Sequence, residues 1–270
     1  MKKYDLALVL SGGGARGMAH VGVIKVFEEN KIVPNIIIGT SAGALVGGMY
    51  AANSLDKFEK VLIGKLKNFI RKSIARLWFS KEGLINSQKV ANGFRKIVGN
   101  KNIENLDKKF VAIACDLISG KKVLIEKGDL CDAIVASSAI PFVFSPLHKK
   151  DKINKKEMLL VDGGIKAPLA IEEGIKLAKK VIAVNLSKTF EIKTKKSYNI
   201  IDVFSYLSRI WEEEVLSAIL KKYRNKKNVF LLNIDVNINT LDFRTSKKAI
   251  KIGEKEAKKR LNEIKRFINS

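Results

Sequence analysis

Histidine and cysteine are both scarce in this sequence of 270 residues, which contains two of each. Cys115 and Cys131 lie in apolar segments, and two thiols cannot build a disulfide framework or a four-cysteine metal site. We interpret them as buried thiols of a protein from a reducing compartment.

Long apolar runs and linkers are also missing. No stretch approaches the roughly 18 apolar residues of a membrane-spanning helix, and the run Leu6–Leu10 is too short for a signal peptide. The chain has 4 prolines and no segment rich in glycine and serine that would separate two domains. We therefore expect a cytoplasmic protein, at most peripheral to the inner face of a membrane, with one domain over residues 1–270.

Acidic residues are few relative to basic ones, and the formal net charge is +24. An excess of this size is compatible with a solvated surface or with attraction to an anionic membrane. The lysines are spread along the chain, without an aromatic-interleaved recognition motif or a zinc site. The sequence leaves contact with an anionic membrane open and predicts no specific nucleic-acid partner.

The first fifty residues alternate between two kinds of segment. Leu6–Leu10 predicts a buried strand that ends in the glycine-rich turn Ser11–Gly14, and Arg16–Asn30 has the apolar spacing of a helix. Ile36–Ile38 predicts a second buried strand, and Ala42–Ala52 predicts a second helix. This alternation is typical of an α/β domain with a central, mostly parallel sheet.

Later segments continue the alternation. Further strands are predicted at Phe110–Cys115, Lys122–Ile125, Met158–Val161, Val181–Leu186 and Val229–Ile234. Helices are predicted over Leu130–Ser138 and Ile171–Lys179. A C-terminal helix is predicted from one apolar face made of Ile250, Ala257, Leu261, Ile264 and Ile268.

The glycine-rich turn has two chemical interpretations. Gly12, Gly14 and Gly17 form a G-x-G-x-x-G pattern after a strand, which by itself is a weak signal for dinucleotide binding. That function requires a carboxylate near the end of the second strand, and residues 36–41 contain none. The alternative is an oxyanion hole, in which glycines let backbone N–H groups point at one developing negative charge. We predict this hole over Gly12, Gly13, Gly14, Ala15, Arg16 and Gly17, with a purely structural turn left open.

The second strand ends in the pattern G-x-S-x-G, formed by Gly39, Ser41 and Gly43. At a strand-to-helix junction this pattern is the nucleophile elbow of serine hydrolases, in which a sharp turn strains the serine backbone and projects its Oγ. Small neighbours, Ala42 among them, let strand and helix approach closely. We predict that Ser41 is a catalytic nucleophile.

A serine nucleophile needs a base, and histidine is a poor candidate here. His20 lies in the first predicted helix, where a structural role fits better, and His148 lies in a loop rich in proline and lysine. Asp162 ends an apolar strand and precedes Gly163 and Gly164, so its carboxylate lies at the sheet edge where active sites form. We predict Asp162 as the base, with a pKa raised by partial desolvation. A turn aspartate that caps its own backbone is the alternative.

In their order along the chain, these motifs resemble those of the patatin-like phospholipase family, specifically its short bacterial and archaeal members. The resemblance covers residues 5–185, before a C-terminal strand and helices over 200–270. Its motifs are Gly12–Gly17, Gly39–Gly43, Ala136–Pro141 and Asp162–Gly164. The resemblance implies a three-layer α/β/α domain and a Ser–Asp dyad that hydrolyses acyl esters of lipids through an acyl-enzyme, without metal or cofactor. Many relatives have Asp where this chain has Ser11, a departure expected to change the support of the loop more than the chemistry.

Two further segments are candidates for lipid contact. Lys65–Phe79 interleaves basic with apolar and aromatic residues, which is typical of an interfacial helix and also of an ordinary peripheral helix. Phe204–Tyr223, with Leu207 and Trp211, is a candidate wall of an acyl pocket. A non-catalytic lipid- or acyl-binding protein of the same fold is the alternative class, against which the intact pair of serine and aspartate argues.

Overall fold

The computed structural model describes residues 3–64, 85–150, 156–187, 200–238 and 242–270. Up to residue 64 the elements are β1 (Tyr4–Leu10), a 3₁₀ turn (Gly14–Met18), α1 (Ala19–Glu29), β2 (Ile36–Thr40), α2 (Ala42–Ala51) and α3 (Leu55–Gly64). From residue 85 to 162 they are α4 (Ser87–Val98), a 3₁₀ turn (Ile103–Asn105), β3 (Lys109–Asp116), β4 (Lys121–Ile125), α5 (Leu130–Ser138), β5 (Leu147–Lys150) and β6 (Glu157–Asp162). The remaining elements are a 3₁₀ turn (Gly163–Ile165), α6 (Ile171–Leu177), β7 (Ala178–Ser187), α7 (Ile200–Tyr223), β8 (Val229–Asp235), a 3₁₀ turn (Phe243–Thr245), α8 (Ser246–Lys259) and α9 (Leu261–Asn269).

In the described residues one sheet contains all eight strands. Strand β1 pairs in parallel with β2 and β7, β2 with β3, and β7 with β8, whereas β4, β5 and β6 pair antiparallel. The mostly parallel sheet expected from the sequence is confirmed, and each predicted strand lies within an observed one. Strand β5 was not predicted, because three of its four residues are basic and it has no apolar run.

Helices cover both faces of this sheet. Alternate residues of β1 point to opposite sides, so that Leu8 and Leu10 join one apolar cluster while Ala7 and Val9 join the other. The first cluster includes side chains from α1 to α5, α8 and α9, and the second includes side chains from α6 and α7. The chain therefore has the three-layer α/β/α architecture. No helix in the described ranges is long and apolar enough to cross a membrane.

The register of β3 determines where two other strands end. Residues 112–113 pair with both β2 and β4, and residues 114–116 pair with both β4 and β6. Because a strand has two edges, β4 occupies one of them while β2 and β6 share the other. Strand β2 runs parallel to β3 and β6 runs antiparallel, so their carboxyl ends point at each other. Thr40 is opposite Ile113, and Asp162 is opposite the next residue, Ala114.

Several element boundaries differ from the prediction. The helix expected over Arg16–Asn30 begins as a 3₁₀ turn and becomes α1 only at Ala19, because Gly13 and Gly14 have positive φ angles of 149° and 56°. The helix expected over Ile171–Lys179 ends at Leu177, because the next residues pair with β1 as the start of β7.

The C-terminal helix is two helices that meet at Arg260. The second one, α9, packs its Phe267 ring against Phe230 at 5.6 Å between ring centroids, and Lys180 Nζ donates to the Phe267 carbonyl at 3.0 Å. These contacts to β7 and β8 hold α9 against the sheet, separately from α8. The loop expected around His148 is strand β5. The segment Lys65–Phe79 lies outside the described residues, and both cysteines are buried, free thiols.

Helices α1 and α8 touch through their backbones at two glycines. A Cβ at Gly253 would lie 2.0 Å from the Ala19 carbonyl oxygen, and a Cβ at Gly22 would lie 2.1 Å from the Ile250 carbonyl oxygen. Both distances are shorter than any real contact, so glycine is required at this crossing. The crossing attaches the C-terminal region to the helix that follows the glycine-rich turn.

We therefore predict that Gly253→Ala lowers the free energy of unfolding by roughly 1–3 kcal/mol, because the added Cβ would overlap backbone atoms of α1. The matched control is Gly93→Ala in α4, where a Cβ meets no atom within 4 Å. That control should raise stability by roughly 0.5–1 kcal/mol, since alanine is the better helix former. Urea unfolding of the two variants measures both effects, and equal effects would contradict the backbone contact.

Candidate active site

Ser41 occupies the sharp turn between β2 and α2. Its φ of 54° and ψ of −120° lie outside the regions that a serine ordinarily adopts, so the surrounding structure must hold this conformation. Gly43 makes the turn tight, because a Cβ there would lie 2.2 Å from the Leu10 carbonyl oxygen. At Gly39 a Cβ would lie 2.4 Å from the carbonyl oxygen of Gly43. The turn has the geometry of a nucleophile elbow, with Ala42 as the first residue of the helix.

Ser41 and Asp162 are brought together because the carboxyl ends of β2 and β6 face each other along one edge of β3. Ser41 Oγ donates a hydrogen bond to Asp162 Oδ2 at 2.7 Å, and both residues are buried. The other carboxylate oxygen, Oδ1, accepts from the Gly164 N–H at 2.8 Å. Gly163 lets this turn approach β3, because a Cβ there would lie 2.2 Å from the Ile113 carbonyl oxygen. The aspartate thus caps its own turn with one oxygen and faces the serine with the other.

The end of helix α5 fixes the backbones of both residues. The Ser41 N–H donates to Ser137 Oγ at 2.9 Å, and Ser138 Oγ donates to the Ser41 carbonyl at 3.1 Å. The Asp162 N–H donates to the Ala139 carbonyl at 2.9 Å. Sequence reasoning identified this segment only as part of a resemblance and assigned it no role. The structure shows that three consecutive residues position Ser41 and Asp162 together.

The glycine-rich turn lies against the serine and leaves three amides available. The Gly12 N–H donates to the Pro168 carbonyl at 3.0 Å, and the Arg16 N–H donates to the Gly13 carbonyl at 3.1 Å. Within the described ranges, no hydrogen bond is formed by the amides of Gly13, Gly14 or Ala15. A Cβ at Gly12 would lie 3.5 Å from Ser41 Cβ, so the turn is in direct contact with the serine. Of the six residues predicted to form an oxyanion hole, these three have amides that are free to bind another group in the described ranges.

The last two residues of this motif support the turn. Gly17 admits the start of helix α2, because a Cβ there would lie 2.3 Å from the Ala42 Cβ. Arg16 is buried, and its Nε donates to the Gly13 carbonyl at 3.3 Å. Burial lowers the pKa of Arg16, and the carboxylate of Glu212 opposes that change.

Ser11 and His20 support the glycine-rich turn through hydrogen bonds. Ser11 Oγ donates to the Gly12 carbonyl at 3.0 Å and accepts from the Leu186 N–H at 3.1 Å, which joins the turn to β7. His20 Nε2 lies 2.9 Å from the Ser11 carbonyl oxygen, and burial lowers the His20 pKa to about 4. His148 is exposed in β5, opposite Leu159. In the part of the chain that the structure describes, neither imidazole is hydrogen-bonded to Ser41 or Asp162.

Helix α7 supplies Glu212, which sequence reasoning missed, and is anchored beside the site by Trp211. Trp211 Nε1 donates to the Ile165 carbonyl at 2.9 Å, which ties the helix to the turn after Asp162. The next residue, Glu212, is half-buried, and its Oε1 lies 3.5 Å from where a Cβ at Gly12 would be. Burial raises the pKa of Glu212, while the guanidinium of Arg16 opposes the rise. No motif marks this glutamate, since only the packing of α7 places it near the serine.

Asp162 is electrostatically unusual. Burial raises its pKa from 3.8 to about 7, against the hydrogen bonds from Ser41 and Gly164, and the negative charge of Glu212 adds to the rise. A carboxylate with this pKa is a much better proton acceptor at neutral pH than an ordinary one. The site thus combines a strained serine, a basic carboxylate and three available amides. Among the described residues no group of three or more His, Cys, Asp or Glu could hold a metal ion.

The sequence pattern of one protein family, described as patatin-like phospholipase, matches residues 8–175. The match extends from β1 into α6, covers more than half of the chain, and includes Ser41, Asp162 and the glycine-rich turn but not Glu212 or Trp211. This chain belongs to the patatin-like phospholipase family. The two exceptions lie on α7, which follows the matched region.

Individual relatives cover parts of this chain. An uncharacterized NTE family protein of Mycobacterium tuberculosis is 41% identical over 167 residues, which are 61% of this chain and 44% of that protein. The lysophospholipase NTE1 of Scheffersomyces stipitis is 32% identical over 189 residues, or 67% of this chain and 12% of its own length. The chain therefore spans less than half the length of these curated relatives. The crystal structure of VipD from Legionella pneumophila aligns with 97% of this chain and 67% of its own, at 14% identity and a TM-score of 0.49.

The raised pKa of Asp162 predicts that the folded protein loses stability as pH rises toward 7. Between about pH 4 and pH 7 the unfolded chain ionises this carboxyl while the folded chain keeps it protonated, so stability falls as pH rises. Asp162→Asn removes this titration. The variant should therefore gain stability relative to the parent by up to roughly 1.4 kcal/mol per pH unit in this window, measured by urea unfolding at several pH values.

Asp116, at the end of β3, provides a control of opposite sign. Burial raises its pKa, but hydrogen bonds from the Ser119 hydroxyl and from backbone N–H groups outweigh burial and leave the pKa lowered. Its contribution to stability is present above its unfolded pKa and is lost as pH falls through the folded value. Asp116→Asn should thus be most destabilising at neutral pH. Parallel stability profiles for the parent and Asp162→Asn would contradict the raised pKa.

Proposed function

We propose that this chain is a serine acyl hydrolase that cleaves lipid esters with the dyad Ser41–Asp162. The observation that carries the proposal is the 2.7 Å hydrogen bond from the Ser41 hydroxyl to a buried carboxylate whose pKa is raised to about 7. Such a carboxylate can accept the hydroxyl proton as the oxygen attacks an ester carbonyl.

The first half of the reaction acylates the serine. As Ser41 Oγ bonds to the carbonyl carbon, its proton moves to Asp162 Oδ2, and the carbonyl oxygen becomes an oxyanion. The free amides of Gly13, Gly14 and Ala15 belong to the turn that contacts the serine, and in our proposal they stabilise this charge. When the intermediate collapses, the bond to the leaving oxygen breaks, and the leaving alcohol takes the proton from Asp162.

The second half releases the acyl group. Water attacks the acyl carbon of the ester on Ser41 while Asp162 accepts one of its protons. Collapse of this second intermediate breaks the bond to Ser41 Oγ, which recovers the proton, and a carboxylic acid leaves. The hydrogen bonds from Ser137 and Ser138 keep the serine backbone in place through both halves.

Two further observations support a lipid substrate. The chain belongs to a family described as phospholipases, and one relative is a lysophospholipase by name. We propose lipid esters as the substrate class on this basis. The net charge of +24 supports attraction to anionic lipid surfaces and does not require a nucleic-acid partner.

The dyad predicts that Ser41→Ala and Asp162→Asn each lower kcat by about 10³-fold or more on a p-nitrophenyl ester and on a lysophospholipid. A fluorophosphonate probe should label Ser41, as read by mass spectrometry, and should not label the Ser41→Ala variant. The control is His148→Gln, which changes an exposed imidazole and should retain full activity. Lipid binding without turnover in the parent would instead favour a non-catalytic lipid-binding protein.

The pKa of Asp162 also predicts a pH profile. Because the base must be ionised, kcat/KM should rise with pH and reach half of its plateau near pH 7. Glu212→Gln removes a negative charge that raises the Asp162 pKa, so its midpoint should move to lower pH. Glu214→Gln, on the exposed side of the same helix, should leave the midpoint unchanged. A midpoint near pH 4 in the parent would exclude Asp162 as a base with a raised pKa.

A further inference from the structure

Helix α7 presents a row of apolar side chains to solvent. Val203, Leu207, Ile210 and Trp211 are between 42% and 59% exposed. Their spacing of four, three and one residues places them on one side of the helix, and we call this row the α7 stripe. Large apolar side chains that are exposed next to one another indicate an interaction surface more than scattered ones do.

Val203, in the stripe, and Glu212, beside the candidate active site, lie on opposite sides of the same helix. Val203 and Glu212 are nine residues apart, which is two and a half helical turns, and Glu212 points toward Gly12. Leu216 and Leu220, on the inner side, pack on the apolar cluster of the sheet. A helix with its side chains is about 10 Å thick, so the stripe is separated from Ser41 by α7 and by the contact of Glu212 with the turn at Gly12.

Trp211 is the aromatic member of the stripe. Trp211 is 55% exposed although its Nε1 is fixed to the Ile165 carbonyl, so its ring is held at the surface by its polar end. Rings with one anchored polar end are well suited to a boundary between water and hydrocarbon.

Basic residues accompany the stripe. Lys166 is exposed and directly follows Ile165, the residue to which Trp211 is bonded. Lys221 is also exposed, and it lies on the same side of the helix as Val203 because the two are eighteen residues, or five turns, apart. Glu214, eleven residues after Val203, is exposed on this side too, so complementarity to a negatively charged surface with an apolar interior comes from the two lysines together with the net charge of +24.

We propose that the α7 stripe docks this protein on the surface of an anionic lipid bilayer and brings Ser41 to the esters of that bilayer. The proposal rests on the proposed function as a lipid ester hydrolase and names the surface through which the enzyme meets its substrate. The apolar side chains enter the headgroup boundary while Lys166 and Lys221 contact anionic headgroups.

The test measures binding separately from catalysis. Full-length protein carrying Ser41→Ala is mixed with vesicles of pure phosphatidylcholine, or with vesicles that also contain phosphatidylglycerol, and the bound fraction is measured by flotation. We expect the protein to prefer the anionic vesicles. Val203→Ser with Ile210→Ser should weaken that binding by roughly tenfold or more, because two apolar side chains no longer enter the bilayer.

Val33→Ser provides the matched control. Val33 is 61% exposed and precedes β2, whereas Ser41 follows it, so this change removes an exposed apolar side chain at the opposite end of the strand. It should leave vesicle binding unchanged. In the chain with Ser41 intact, the stripe variant should keep the parent rate on a soluble short-chain ester and lose activity on vesicles.

The outcomes separate this proposal from the proposed function. Unchanged vesicle binding by the stripe variant overturns the docking surface, whatever the esterase activity. Stripe-dependent binding by a protein that hydrolyses no ester supports the surface and removes the hydrolase assignment. A parent that is a dimer by light scattering, a stripe variant that is a monomer, and no vesicle binding by either would assign the stripe to self-association and overturn the docking proposal.

Discussion

The hydrogen bond between Ser41 and Asp162 joins two strand ends that are 121 residues apart in sequence, and the surrounding architecture keeps it in place. A carboxylate buried beside a hydroxyl is costly to ionise, because two hydrogen bonds do not replace the water that burial removes. The same cost makes the carboxylate basic near neutral pH. Stability and proton affinity at this position therefore have one physical origin.

A costly, strained arrangement persists only where its surroundings leave it no alternative. At Ser41 the positive φ is enforced by close backbone contacts on both sides of the turn and by two hydroxyl groups of helix α5. The loop after Asp162 is held to the end of β2 and to the glycine-rich turn, since Thr40 Oγ1 donates to the Ala167 carbonyl and the Gly12 N–H donates to the Pro168 carbonyl. These connections resist relaxation of the site toward ordinary geometry.

Helix α7 presents different side chains on its two sides. Its inner side contributes the carboxylate of Glu212, and its outer side presents apolar side chains to solvent, among them Trp211, whose Nε1 is bonded to the Ile165 carbonyl. A single helix thus links the electrostatics around Asp162 to the surface that we propose contacts lipid. The basic character of the chain fits this arrangement, because charge acts at long range while the stripe acts only on contact.

The sequence by itself determined the type and order of most elements, since period-two and period-3.6 patterns record which faces of a strand or helix are buried. It also identified Ser41 and Asp162 as a chemically plausible pair, because the scarcity of histidine left a carboxylate as the base. It could not place strand β5, which has no apolar run, or the break at Arg260, which depends on contacts with the sheet.

Only the tertiary structure decided how the site is assembled. The meeting of β2 and β6 follows from pairing along one edge of β3, and the support from Ser137 and Ser138 follows from the packing of α5. The place of Glu212 and the raised pKa of Asp162 likewise depend on neighbours that are distant in sequence. Local patterns report the preferences of adjacent residues, whereas distances and burial arise only when separate elements pack against one another.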